Sequence, residues 1–89
     1  MPQTYRIIYS KTAQKDIRTV PKQHLSAVAS KISKLATSPR PRDSQKLKGY
    51  RNLYRIRQGD YRIVYGIEDM QLVVMVIKIG HRKDVYKQL

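Results

Sequence analysis

Arg55, Arg57 and Arg62 recur at alternating positions in two segments of strand character, and His81, Arg82 and Tyr86 follow the most apolar stretch of the chain. A guanidinium carries a fixed charge and a planar fork of N–H donors that matches phosphate oxygens. An imidazole and a phenol add groups that orient or move protons. Gathered together, these residues are equipped to grip a phosphodiester, and the last two raise the prospect of breaking it. Lys46, Lys48, Arg51 and Lys83 flank the set and extend it as contacts for a nucleic-acid backbone. Any one of these arginines, taken alone, reads as a solvated surface side chain. Three on one sheet face, beside two further basic residues, favour a binding function.

The elements that must hold them follow from periodicity. Residues 5–9 alternate as a short strand with Tyr5, Ile7 and Tyr9 on one face. Ser10 is placed to cap a helix over 11–20, whose Ala13, Ile17 and Val20 lie at helical spacing. Pro21 breaks that helix and suits the start of a second one. The second helix presents Leu25, Val28, Ala29, Ile32, Leu35 and Ala36 as one apolar stripe. Residues 38–51 form a long polar connection containing Pro39, Pro41 and Gly49.

A meander closes the chain. Residues 52–57 and 61–67 are strands around the turn Gln58-Gly59-Asp60, and residues 72–79 form a central strand that Gly80 ends. Alternation puts Arg55, Arg57 and Arg62 on one face, opposite Tyr54, Ile56, Tyr61, Ile63 and Tyr65. The hairpin brings Arg57 and Arg62 close. Like charges across strands repel, so a sheet that accepts them is built to receive an anion. The expected fold is one α+β domain over residues 1–89. Its order is β-α-α-β-β-β, an antiparallel four-stranded sheet with a helical hairpin packed on one face and the arginine face left open.

The 89 residues carry 19 Lys and Arg against 6 Asp and Glu, a net charge of +13. Such a field attracts nucleic acid or an acidic protein partner. Cysteine is absent, which excludes disulfides, thiolate chemistry and cysteine zinc sites. Two histidines and few acids argue against a metal site. No apolar run approaches membrane-spanning length, and no signal-like segment opens the chain, so a cytoplasmic protein is expected.

The Leu47-Lys48-Gly49 step, the "GDYRIVY" run from Gly59 and the terminal "GHRKDVY" run from Gly80, in this order of elements, resemble the RelE/ParE superfamily of bacterial and archaeal toxins. The RelE branch is the nearer pattern. That resemblance implies a toxin neutralised by a cognate antitoxin, acidic and partly disordered when free. It implies an endoribonuclease that cuts mRNA in the ribosomal A site and needs no metal or other cofactor. The 2′-hydroxyl would attack the adjacent phosphate, leaving a 2′,3′-cyclic phosphate and a 5′-hydroxyl. The family's functional positions fall on Arg55, Arg57, Arg62, His81, Arg82 and Tyr86. Arginines stand at 55 and 57 where the best-known RelE proteins carry lysines, and arginine is a poor proton shuttle. The superfamily also holds ParE-type proteins that bind DNA gyrase without a nuclease site. A non-catalytic RNA-binding module is a third reading.

Overall fold

The computed structural model describes residues 4–82. Strand β1 (Arg6–Tyr9) leads into helix α1 (Lys11–Thr19) and helix α2 (Lys22–Ser33). A 3-10 turn over Lys34–Ala36 extends α2. Four strands follow: β2 (Gln45–Lys46), β3 (Leu53–Gln58), β4 (Tyr61–Glu68) and β5 (Val73–His81). Together with β1 they form one five-stranded sheet in the order β1-β5-β4-β3-β2.

Local sequence explains the helices. The Ser10 hydroxyl accepts from the Ala13 N–H at 3.0 Å, fixing the start of α1. In α2 the apolar stripe buries Val28 and Ile32, and Leu35 follows in the 3-10 turn. These side chains meet Ile56, Ile63, Tyr65, Ile67, Val74, Val76 and Ile79 from one sheet face. A fully buried aliphatic side chain contributes roughly 1.5–3 kcal/mol, so this single layer carries most of the stability such a small domain can have. No helix among the described residues is long and apolar enough to cross a membrane.

The α+β class and the helical layer agree with expectation, while the sheet differs in three respects. First, the sheet is mixed, because β1 pairs in parallel with β5 over Arg6–Val73 to Tyr9–Val76. Helix α2 returns the chain to the start of β1, where the Ala36 carbonyl accepts from the Tyr5 N–H at 2.7 Å. The meander then ends with β5 running in the direction of β1, whose edge it joins. Second, the long connection contains a strand: β2 runs antiparallel to β3, opposing Arg55 and Tyr54. Third, Gly80 does not end β5. It pairs with Arg62, and His81 pairs with Tyr61.

The arginine face is also less open than the sequence suggests. Val64 on that face is 0% exposed. In register it lies between Arg55 and Lys78, long side chains whose methylene stems cover apolar surface.

A polar clamp closes the end of the sheet where β1 begins. Arg40 donates to both carboxylate oxygens of Asp69, at 3.2 and 2.8 Å, and to the Tyr54 hydroxyl at 3.1 Å. The Tyr5 hydroxyl donates to Asp69 at 2.6 Å. Below them the Tyr54 ring stacks on Tyr65, whose hydroxyl donates to the Pro39 carbonyl at 2.7 Å. The clamp therefore joins the N-terminal strand, the post-helix loop, β3 and the β4–β5 turn.

Two outcomes follow from this clamp. Arg40 and Tyr5 hold the Asp69 carboxyl down from 3.8 to about 2. Its contribution to stability is thus present above its ordinary pKa and lost as pH falls towards about 2. Urea midpoints measured through that window should fall less steeply for Asp69→Asn than for the wild type. Tyr65→Phe, which deletes only the hydroxyl bonded to Pro39, should cost about 1 kcal/mol in the same unfolding experiment.

Candidate nucleic-acid interface

The β3–β4 hairpin builds the cationic end of the sheet. Gly59 adopts φ +60°, the left-handed conformation that a two-residue turn with Asp60 requires. The register then sets Arg57 directly opposite Arg62, and Arg55 opposite Val64, all on the face away from the helices. Arg62 is anchored locally, since its Nη1 donates to the Gly59 carbonyl at 3.1 Å and the Tyr61 carbonyl at 3.3 Å. Both bonds use Nη1, so Nε and Nη2 keep their N–H bonds for another acceptor. Beyond β5, the Arg82 N–H donates to the Asp60 carbonyl at 2.7 Å, which draws Arg82 to the same turn. Three arginines from three segments therefore converge at one hairpin tip.

The other sequence-derived candidates are placed differently. Arg55 sits further down the face, where its Nη2 donates to Gln45 on β2. It thus helps hold the edge strand. His81 lies on the helix face, not the arginine face. Its ring meets the edge of Tyr61 at 6.0 Å between centroids. The cause is a β-bulge: Tyr65 opposes Val76 but Val64 opposes Lys78, leaving Ile77 as the extra residue. Strict alternation from Val74 and Val76 would carry His81 to the arginine face, and the inserted residue turns it over.

Lys46 pairs with Tyr54 and therefore points to the helix side of the sheet edge. Lys48 and Arg51 lie in the exposed loop before β3. They are separated from Arg57 by most of the strand, about 13 Å at 3.3 Å per residue from Leu53. Lys83 and Tyr86 fall outside the described residues.

Acid placement sharpens the site. Among the described residues the ion pairs are Lys31–Asp43, Arg40–Asp69 and Lys78–Asp16. None of them includes Arg57, Arg62 or Arg82, although Arg57 is near enough to Asp43 to help hold its carboxyl below the usual range. Sequence reasoning passed over Asp16, the one acid of α1. It accepts from the Ile79 N–H at 3.0 Å and from Lys78 at 3.5 Å. The available signal was scarcity, because in a chain with only 6 acids a lone carboxylate on a helix stands out as a candidate partner for a cation or N–H group.

The cross-strand arginine pair has a measurable cost. Arg57→Gln should stabilise the free protein by about 0.2–1 kcal/mol at low ionic strength, by removing a like-charge contact. Added phosphate should raise the melting temperature of the wild type more than that of the variant. Equal responses in thermal melts would show that the pair does not receive an anion.

The comparisons agree with this architecture. The sequence profile of the ParE toxin of type II toxin–antitoxin system, parDE, matches residues 7–86. Toxin RelE3 of Methanocaldococcus jannaschii is 34% identical over 85 residues, covering 91% of this chain and 94% of that protein. The mRNA interferase toxin RelE of Escherichia coli K12 is 31% identical over 88 residues, covering 94% of this chain and 92% of that protein. A chain in the crystal structure of the RelBE2 toxin–antitoxin complex from Mycobacterium tuberculosis superposes with a TM-score of 0.81 at 27% identity, covering 94% of this chain and 98% of that one. The chain belongs to the RelE/ParE superfamily and is a RelE-family toxin of the type II toxin–antitoxin class.

Proposed function

We propose that this toxin is a ribosome-dependent endoribonuclease that cuts mRNA in the decoding site without a metal cofactor. The observation that carries the reading is the convergence of Arg57, Arg62 and Arg82 at the Gly59–Asp60 turn, with no acid paired to any of them among the described residues. A relative named as an mRNA interferase, 31% identical over 88 residues, supports it.

The chemistry assigned to the site is transesterification. The 2′-oxygen forms a bond to the adjacent phosphorus, and the bond from phosphorus to the 5′-oxygen breaks. The 2′-hydroxyl proton leaves and a proton reaches the departing 5′-oxygen, giving a 2′,3′-cyclic phosphate and a 5′-hydroxyl. Arg57 and Arg62 hold the non-bridging oxygens and stabilise the charge that grows on them. Arg82 serves the leaving oxygen. Tyr86 is assigned to orient or deprotonate the 2′-hydroxyl. His81, turned to the helix face against Tyr61, fits a supporting role better than direct proton transfer at Arg62. With arginines poor as proton shuttles, much of the rate falls to positioning, which the ribosome supplies by holding the message in line.

The partner assigned in the cell is an acidic antitoxin encoded for this toxin. The crystallised relative is a complex with its antitoxin, and a surface of net charge +13 suits an extended acidic segment that folds on binding. The place of action would be the cytoplasm, where ribosomes are. The ParE profile match over residues 7–86 favours a second reading, a gyrase poison without nuclease activity.

Single-turnover cleavage on programmed ribosomes separates the two. The wild type should cut mRNA, and a 2′-deoxy substitution at the cut site should abolish the cut. Arg62→Ala and Arg82→Ala should each slow cleavage by roughly 10²–10³ while melting like the wild type. Intact message together with trapped gyrase–DNA complexes would replace the nuclease with the gyrase reading.

A further inference from the structure

Arg82 reaches the hairpin tip at the end of β5, and that end is the least supported part of the strand. Up to Val76 the strand has β1 on one side and β4 on the other. The bulge at the Val64/Tyr65 step then interrupts its ladder with β4. Beyond the bulge, among the described residues, 78–81 pair with β4 alone. A strand end paired on one side and loosened by a bulge shifts unless another contact fixes it.

Asp16 on α1 makes that contact. Its Oδ2 accepts from the Ile79 N–H at 3.0 Å and from Lys78 Nζ at 3.5 Å. Lys78 and Ile79 are consecutive, so one carboxylate grips β5 by a side chain and by the backbone. The Asp16 side chain is 18% exposed and that of Lys78 is 14%. Withdrawing a carboxylate this far from water is costly unless it is paired and hydrogen-bonded, and here it is both.

We propose that Asp16 is a positioning residue for RNA cleavage: it fixes the end of β5 so that Arg82 meets the scissile phosphodiester beside Arg62. The inference rests on the nuclease reading and adds to it a residue that does not touch the substrate. The path from Asp16 to the site is short. Ile79 precedes Gly80, which pairs with Arg62 across the sheet. His81 pairs with Tyr61, and the Arg82 N–H then donates to the Asp60 carbonyl at 2.7 Å. Arg62 is tied within the hairpin itself, through the Gly59 and Tyr61 carbonyls. The separation of the two guanidinium groups therefore depends on how β5 lies against the hairpin. A displacement of about 1 Å at a reacting group can cost roughly 10² in rate.

The test combines single-turnover cleavage on programmed ribosomes with amide hydrogen exchange of the free protein. In Asp16→Ala the Ile79 and Arg82 amides should exchange about tenfold faster, while amides paired between β3 and β4 keep their rates. Cleavage at saturating ribosome should slow by roughly 10–100-fold, with the half-saturating concentration unchanged. Asp16→Asn keeps an acceptor for the Ile79 N–H and should recover most of that loss. In an Arg82→Ala background, where the positioned cation is gone, adding Asp16→Ala should cost almost nothing further. Equal losses in the two backgrounds, or losses that simply follow melting temperature across the variants, would make Asp16 a structural residue and overturn the proposal. Unchanged exchange at Arg82 would overturn it too. If Asp16→Ala does not fold, Asp16→Ser takes its place in each comparison. Wild-type cutting with an undiminished rate in the variant removes the positioning role and retains the nuclease. Intact message with the wild type removes the nuclease reading, and the positioning role with it.

Discussion

The uncovered edge of β5 is the constraint on which the rest of this structure depends. The strand has nine residues and β1 has four, so among the described residues the outer edge of β5 beyond Val76 has no strand partner. Unpaired edge groups invite foreign strands and cost stability when buried without a partner. Helix α1 supplies the missing partners with side chains. The Ser10 hydroxyl donates to the Ile77 carbonyl at 2.8 Å, and Asp16 accepts from the Ile79 N–H at 3.0 Å. This contact holds the end of β5, and with it Gly80, His81 and Arg82, against the hairpin tip. It also explains why one carboxylate is half-buried beside Lys78 in so basic a protein.

Charge is distributed by the same logic. The chain has few acids, and the paired ones sit at joints: Asp69 at the clamp, Asp43 against Lys31 on α2, Asp16 at the β5 edge. Of the tip arginines, Arg57 feels one of these acids, through the field of Asp43, which it helps to hold ionised. Arg57 opposing Arg62 is unfavourable in the free protein. The free state carries a repulsion that a bound anion would relieve. The clamp and core at the other end of the sheet must tolerate that repulsion.

Much of this was legible from alternation and turn chemistry. The period of two placed Arg55, Arg57 and Arg62 on one face because β3 and β4 are regular and their turn is short. The helical stripe named Val28, Ile32 and Leu35 because α2 packs along its length. What failed was non-local or irregular. Periodicity shows which residues share a face but not which edge a strand joins, so the parallel pairing of β1 was invisible. The two-residue β2 is too short to carry a pattern. The bulge at Ile77 lies in an apolar run where both faces are buried, so the sequence has no polar residue to mark the slip. That one residue moved His81 away from the arginines. Tyr86 lies outside the described residues, so its assigned role rests on the resemblance alone.

The bulge also has a consequence for recognition. With His81 turned to the helix side, the strand ends present two unlike surfaces, cations on one face and the Tyr61 and His81 rings on the other. Phosphate binding through guanidinium groups is indifferent to sequence, since every nucleotide carries the same phosphate. A site that used the arginine face alone would bind any RNA. Discrimination among sequences requires groups that read a base edge. Tyr61 and Arg62 are neighbours on β4 and point to opposite faces by alternation. The register that brings Gly80 opposite Arg62 also brings His81 opposite Tyr61, so the bulge supplies the second ring on that side. Neighbouring residues on opposite sides of one strand thus carry different chemistry, a guanidinium on one face and an aromatic ring on the other.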